Sequence, residues 1–243
     1  RAFRRWLEET LQQPPDGVRR ALRRTSAPMF GGGDADGPVE RLRNAGRALA
    51  EARDFQAPWR RPLFNRQAEI ERLVVELHHL ADLSASPASS RDNLFFDLDA
   101  VRRLSGQMRL EQSFGVRDLD GWEARLVDLV RERGFSRTRK GSGYKYGGLR
   151  LRPDQPPRDV TRTEVLAARD ALLAALQQFR KDADADLAAA LQQELSAATA
   201  QYQALKTAAG ALDFTDLLAR ARDLLRTDLA VRTHDAHPIA VQT

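Results

Sequence analysis

The sequence predicts a mainly α, multi-helix domain. Apolar residues recur at i, i+3, i+4 and i+7 in almost every segment, the period of an amphipathic helix. Only 15 Gly and 11 Pro punctuate the 243 residues. The C-terminal third holds two long apolar seams, which read as a long antiparallel helical hairpin. One basic, glycine-rich loop or small hairpin interrupts the pattern.

Phe3, Trp6, Leu7 and Leu11 share one face of a first helix. Pro14-Pro15-Asp16-Gly17 stops it, because Pro cannot donate into a helix interior. Val18, Ala21 and Leu22 space a short second helix whose outer face is basic, with Arg19, Arg20, Arg23 and Arg24. Thr25 to Pro38 reads as a loop, with Asp34 and Asp36 among its glycines. Val39, Leu42, Gly46 and Leu49 space a third helix, and Phe55 to Asn65 is an irregular link with two prolines. Ile70, Leu73, Val74, Leu77, Leu80 and Ala81 fit the helical template closely. Ser84 to Asn93 is a polar linker.

Two weaker helices are expected around Leu98–Met108 and Gly121–Arg133. Gly134 to Pro157 breaks the pattern. Val165, Ala168, Leu172, Leu176 and Phe179 form one seam; Leu187, Leu191, Leu195, Ala198, Tyr202 and Leu205 form the other. Lys181-Asp-Ala-Asp-Ala-Asp186 is the expected polar turn between them. Phe214, Leu217, Leu218, Ala221, Leu224 and Leu225 space a last amphipathic helix.

Composition narrows the chemistry. Cys is absent, so disulfides, thiolate metal sites and Cys nucleophiles are excluded. There are four His. His78 falls at the edge of the Ile70–Ala81 apolar face and His79 opposite it, and His234 and His237 lie in a polar tail. Neither His78 nor His79 has an i+4 partner that completes a ligand set, so both read as surface histidines, and a lone His234-x-x-His237 is a weak metal signal. No apolar run approaches the roughly 18–20 residues of a membrane span. The opening Arg1-Ala-Phe-Arg-Arg-Trp-Leu has no signal-peptide pattern and reads as the middle of a helix. The expectation is a fragment of a longer cytoplasmic protein.

The strongest charge feature is Arg131 to Arg152. Arg131, Arg133, Arg137, Arg139, Lys140, Lys145, Arg150 and Arg152 stand against one acid, Glu132. That is a net +7 in 22 residues, against +5 for the whole chain. Tyr144 and Tyr146 are interleaved, and four glycines let the backbone approach a partner. Flexible cations suit phosphate contacts, and tyrosines stack on bases or sugars. The alternatives are a solvated loop and an acidic protein partner. Lys140-Gly-Ser-Gly143 is not a phosphate loop, because its Lys precedes the glycines and no strand leads in. Asp34 and Asp36 read as turn residues, since an EF-hand loop needs further oxygens and a Glu at position twelve.

Asp213 is placed to cap the last helix, with its carboxylate accepting first-turn N–H groups. Asp216, three residues on, adds negative charge at the positive end of the dipole. The segment Leu212-Asp213-Phe214-Thr-Asp216-Leu217-Leu218, continuing through Ala221 to Leu224-Leu225, resembles the "LDFxDLLxxAxxLL" helix of UvrD/Rep-type superfamily-one DNA helicases. Tyr202-Gln-Ala-Leu205-Lys206 is similar to the approach to that helix in the AddA/RecB-like helicase–exonuclease branch. Val165-Leu-Ala-Ala-Arg-Asp-Ala-Leu-Leu173 and Pro14-Pro15-Asp-Gly17-Val18-Arg-Arg-Ala-Leu22 follow the same order. The likeness is specific over about residues 160–232.

The resemblance implies an accessory helical subdomain of the 1B type. Residues 1–160 would carry the subdomain with its basic loop at 134–157. Residues 161–232 would form the long hairpin and the helix returning to the motor, and 233–243 a tail. Walker A and "DEFQD" Walker B motifs do not occur in the chain. By resemblance the parent is an ATP- and Mg-dependent helicase or helicase–exonuclease, while this piece has no cofactor and does no chemistry. Its implied partners are double-stranded DNA, a single/double-strand junction, the remaining motor domains and an AddB/RecC-like subunit. The competing reading is a helical protein-interaction module with no nucleic-acid role. A stand-alone enzyme is disfavoured, because no acid pair, metal set or nucleophile with a base stands out.

Overall fold

The computed structural model describes residues 2–24, 37–52, 57–59, 61, 63–87, 92–137, 146–149 and 158–227. The protein is mainly helical. Eleven helices are described: α1 (Ala2–Thr10), α2 (Asp16–Arg23), α3 (Pro38–Glu51), α4 (Arg66–Leu83), α5 (Asn93–Asp97), α6 (Asp99–Ser113), α7 (Leu119–Leu129), α8 (Arg133–Ser136), α9 (Arg162–Glu194), α10 (Ser196–Ala208) and α11 (Phe214–Thr227). Two short strands, β1 (Tyr146–Leu149) and β2 (Arg158–Val160), pair antiparallel, with Tyr146 opposite Val160 and Leu149 opposite Arg158.

The helices divide into two compact units that do not follow chain order. The first comprises residues 1–15, 39–59 and 191–243; the second comprises 16–38 and 60–190. The boundary expected at 160/161 therefore lies inside the second unit.

The second unit holds the main core. Ile70, Leu73, Leu77 and Leu80 of α4 meet Val101, Leu104 and Met108 of α6, Trp122 and Leu126 of α7, and Val165, Leu172, Leu176 and Phe179 of α9. The period of 3.6 read from α4 places these residues on one stripe, as expected. The segments expected to be weak helices, α6 and α7, supply much of this core. Their ends carry local stops. Asp118 caps α7 by accepting from the Gly121 N–H at 3.0 Å. Gly115 ends α6 with φ of 72°, a conformation in which a Cβ is strained.

One feature of the predicted hairpin is corrected. Lys181–Asp186 is not a turn but the middle of α9, which runs 33 residues without a break. The segment has neither Gly nor Pro, and its alanines favour helix. Its acids are satisfied in place: Asp182 accepts from Gln178, Asp186 pairs with Arg20 of α2, and Asp184 pairs with Arg24 just past α2. α10 follows after Leu195 alone, whose backbone is still helical. The chain reverses later, at Gly210, whose φ is 62°. There the Ala211 N–H donates to the Lys206 carbonyl and the Gly210 N–H to the Thr207 carbonyl, a Schellman stop.

In the first unit, α1 packs on α10, with Ala2, Trp6, Leu42, Leu195 and Ala198 buried. α11 is different, for it has no buried residue. Phe214, Leu217, Leu218, Leu224 and Leu225 are all more than half exposed.

Candidate nucleic-acid interface

The basic segment begins on α8, a single turn anchored on both its small and its large residue. Phe135 is fully buried in the main core. Gly134 sits against the backbone of Asp97, so close that a Cβ would lie 2.7 Å from the Asp97 carbonyl oxygen. At the other end, Val160 of β2 is buried in the same core. The segment is thus held at both ends by apolar anchors of one unit.

Three of its predicted contact residues are described with their side chains. Arg131, Arg133 and Arg137 are exposed. Arg131 pairs with Asp128 at 3.4 Å. Arg133 and Arg137 lie four residues apart, on one face of α8 and its C-cap, and form no ion pair among the described residues. Tyr146 opens β1, with its backbone opposite Val160. Arg139, Lys140, Tyr144, Lys145, Arg150 and Arg152 lie outside the described residues, as do Asp34, Asp36, His234 and His237.

The second basic face, on α2, is corrected by the structure. Arg20 does not face outward: its side chain is 1% exposed. It donates to Glu123 at 3.0 Å and to Asp186 at 2.6 Å. Around that pair, Arg19, Arg24, Arg61 and Arg66 meet Asp16, Asp120, Glu123, Asp184 and Asp186. Five guanidiniums and five carboxylates cancel. Burial drives the Glu123 carboxyl upward, but Arg20, Arg24 and Arg66 outweigh it and hold it below the ordinary carboxylate value. Burial likewise disfavours charge on Arg20, and Glu123 with Asp186 reverses that, so its guanidinium stays firmly protonated. These arginines hold α2, α7 and α9 together and are spent on internal carboxylates. Sequence reasoning missed Glu123; the available signal was an acid at i, i+3, i+4 and i+7 spacing with Leu126, Val127 and Val130 on the apolar stripe of α7 and its C-cap.

The family-motif residues also have a structural role. Asp213 and Asp216 form a reciprocal cap on α11: the Asp216 N–H donates to Asp213 at 3.0 Å, and the Asp213 N–H donates to Asp216 at 3.0 Å. Lys206 bonds both carboxylates, at 2.6 Å to Asp213. The Tyr202 hydroxyl donates to Asp213 at 3.4 Å. Tyr202, Lys206, Asp213 and Asp216 are therefore one clamp joining α10 to α11. Phe214, Leu217 and Leu218 point away from it into solvent. A similar box, unread in the sequence, starts α9, where Glu164 accepts from the Thr161 N–H at 2.7 Å and the Thr161 hydroxyl accepts from the Glu164 N–H at 3.2 Å. Its signature was Thr-x-x-Glu.

His78 is half-buried and its Nδ1 lies 2.8 Å from the Ser105 hydroxyl. Burial and the nearby Arg109 hold its pKa below the ordinary imidazole value. Among the described residues no group of three or more His, Asp or Glu is arranged to hold a metal ion. No described helix is long and apolar enough to cross a membrane. No protein-family model matches the chain, and no curated protein or solved structure matches it either.

Proposed function

We propose that the chain is a DNA-binding accessory module that contacts the duplex backbone through the Arg131–Arg152 segment and does no chemistry of its own. The observation that carries this reading is the distribution of unpaired charge. The α2 arginines are neutralised inside the second unit, whereas Arg133 and Arg137 are exposed without carboxylate partners among the described residues. They open a stretch of net +7 that is anchored at Phe135 and Val160. Anchored ends with cationic, glycine-rich sequence between them suit phosphate contact. The likeness of the α10–α11 segment to UvrD/Rep-type helicases supports placing the module in an ATP-dependent helicase or helicase–exonuclease subunit, beside motor domains that carry ATP and Mg.

The test is a fluorescence-anisotropy salt titration with duplex DNA. About four phosphate contacts give a slope of log K against log salt near −4, at roughly −0.9 per contact. Replacing Arg137, Arg139, Lys140 and Lys145 together by Ala should flatten the slope by about three to four units and weaken binding on all sequences alike. Equal slopes for parent and a folded quadruple variant remove the segment from the DNA path.

A second reading, a protein-interaction module, is favoured by the exposed leucines of α11. It predicts weak or no duplex binding and little salt dependence.

A further inference from the structure

The first unit contains a groove of about 890 Å³ that the DNA reading does not use. Ser196, Thr199, Ala200 and Gln203 of α10 form one wall, and Asp216, Ala219, Arg222 and Arg226 of α11 form the other. The Lys206 clamp on Asp213 and Asp216 ties the two helices at one end. α11 thus turns its polar side toward the groove and its leucines outward. Leu49, Ala52 and Pro58 add apolar surface, and Gln193 lies at the α9 end.

Its free polar groups are few and of two kinds. Among the described residues Arg226 forms no hydrogen bond or ion pair, and Arg222 pairs only with its exposed neighbour Asp223, at 3.1 Å. The side-chain amides of Gln193 and Gln203 are also unbonded among the described residues. Ser196 and Thr199 donate to backbone carbonyls and retain only acceptor capacity. Gln192 is bonded to the backbone of Ala57 and Trp59.

We infer that this groove binds a phosphorylated nucleoside unit. Arg222 and Arg226 stand one turn apart, about 6 Å along the helix axis. A phosphate carries more negative charge than a carboxylate and presents tetrahedrally arranged oxygens to two guanidinium forks at once. The carboxamides of Gln193 and Gln203 each pair a donor with an acceptor, the pattern that reads a base edge, adenine above all. The Leu49, Pro58, Ala200 and Ala219 surfaces give the flat base an apolar face. The groove is far larger than inorganic phosphate needs and lies in the range of small-ligand sites. The unit comes either as a free nucleotide or as the 5′-phosphorylated end of a strand.

The test is calorimetric titration of the whole chain with dAMP, inorganic phosphate, and a dA tetranucleotide with and without a 5′-phosphate. Phosphorylated ligands should bind, and loss of the phosphate should weaken the tetranucleotide at least tenfold. Arg222→Gln with Arg226→Gln should cost a similar factor with the circular dichroism spectrum unchanged. Arg222→Lys with Arg226→Lys keeps charge without the forks and should fall between. A phosphorylated tetranucleotide that outbinds dAMP identifies the strand end as the source; equal or tighter dAMP binding identifies the free nucleotide. Inorganic phosphate binding as tightly as dAMP, or a folded glutamine variant binding like the parent, overturns the proposal. The quadruple variant of the basic segment should retain groove binding in full, so failure of the duplex reading and failure of this one are separable.

Discussion

Replacing Glu123 by Gln tests whether the second unit is held by the charge cluster. The carboxylate is 1% exposed and accepts from Arg20, Arg24 and Arg66. Gln preserves the volume and deletes the charge, so three guanidiniums converge on a neutral amide that also carries donors. Each cation keeps at least one outer acid: Asp186 and Asp16 for Arg20, Asp184 for Arg24 and Asp120 for Arg66. Breaking a buried pair typically costs 3–5 kcal/mol, and the remaining acids place this case near the lower end, about 3 kcal/mol. At this chain length that is a Tm fall of roughly 6–12 °C. Scanning calorimetry at pH 7 measures it. The acid limb gives a second readout. The folded Glu123 carboxyl sits below its ordinary 4.5, so the folded state binds that proton less readily than the unfolded one. Its stabilisation is complete above pH 4.5 and is lost as pH falls through the lower folded value. Glu123→Gln should lack this component. A loss under about 1 kcal/mol with an unchanged acid limb would refute the reasoning.

Asp213→Ala should cost about 0.5–2 kcal/mol through the lost cap and show as reduced helicity in denaturant melts, while duplex affinity stays near the parent value. Gly134→Ala should cost about 1–3 kcal/mol, because its methyl group meets the Asp97 backbone; an unchanged thermal midpoint would show that α5 and α8 part freely. His78 has a folded pKa below 6.5, so its contribution is present at neutral pH and is lost as pH drops from about 6.5 through the lower folded value. His78→Gln should remove that slope from melts collected between pH 7 and 5.

Local patterns were legible without coordinates. The apolar period of Ile70–Ala81 places its stripe in the core, because a helix presents every third and fourth residue to one side. Asp213 caps α11 as its position before Phe214 implied, since a cap needs only its own first turn. The Arg131–Arg152 charge was countable, and α8, β1 and β2 frame it as a loop or small hairpin would. Tertiary structure alone decided which charges were free. Arg20 and Glu123 are 103 residues apart in sequence, and nothing local marks them as partners. Asp184 and Asp186 looked like a turn because acids disfavour helix interiors when solvated alone; Arg20 of α2 and Arg24 just past it supply the compensation within the unbroken α9. The direction of α11 was equally hidden. Periodicity shows that a helix has an apolar face, but only packing decides whether that face finds a neighbour, and here it meets solvent while the polar side lines a groove.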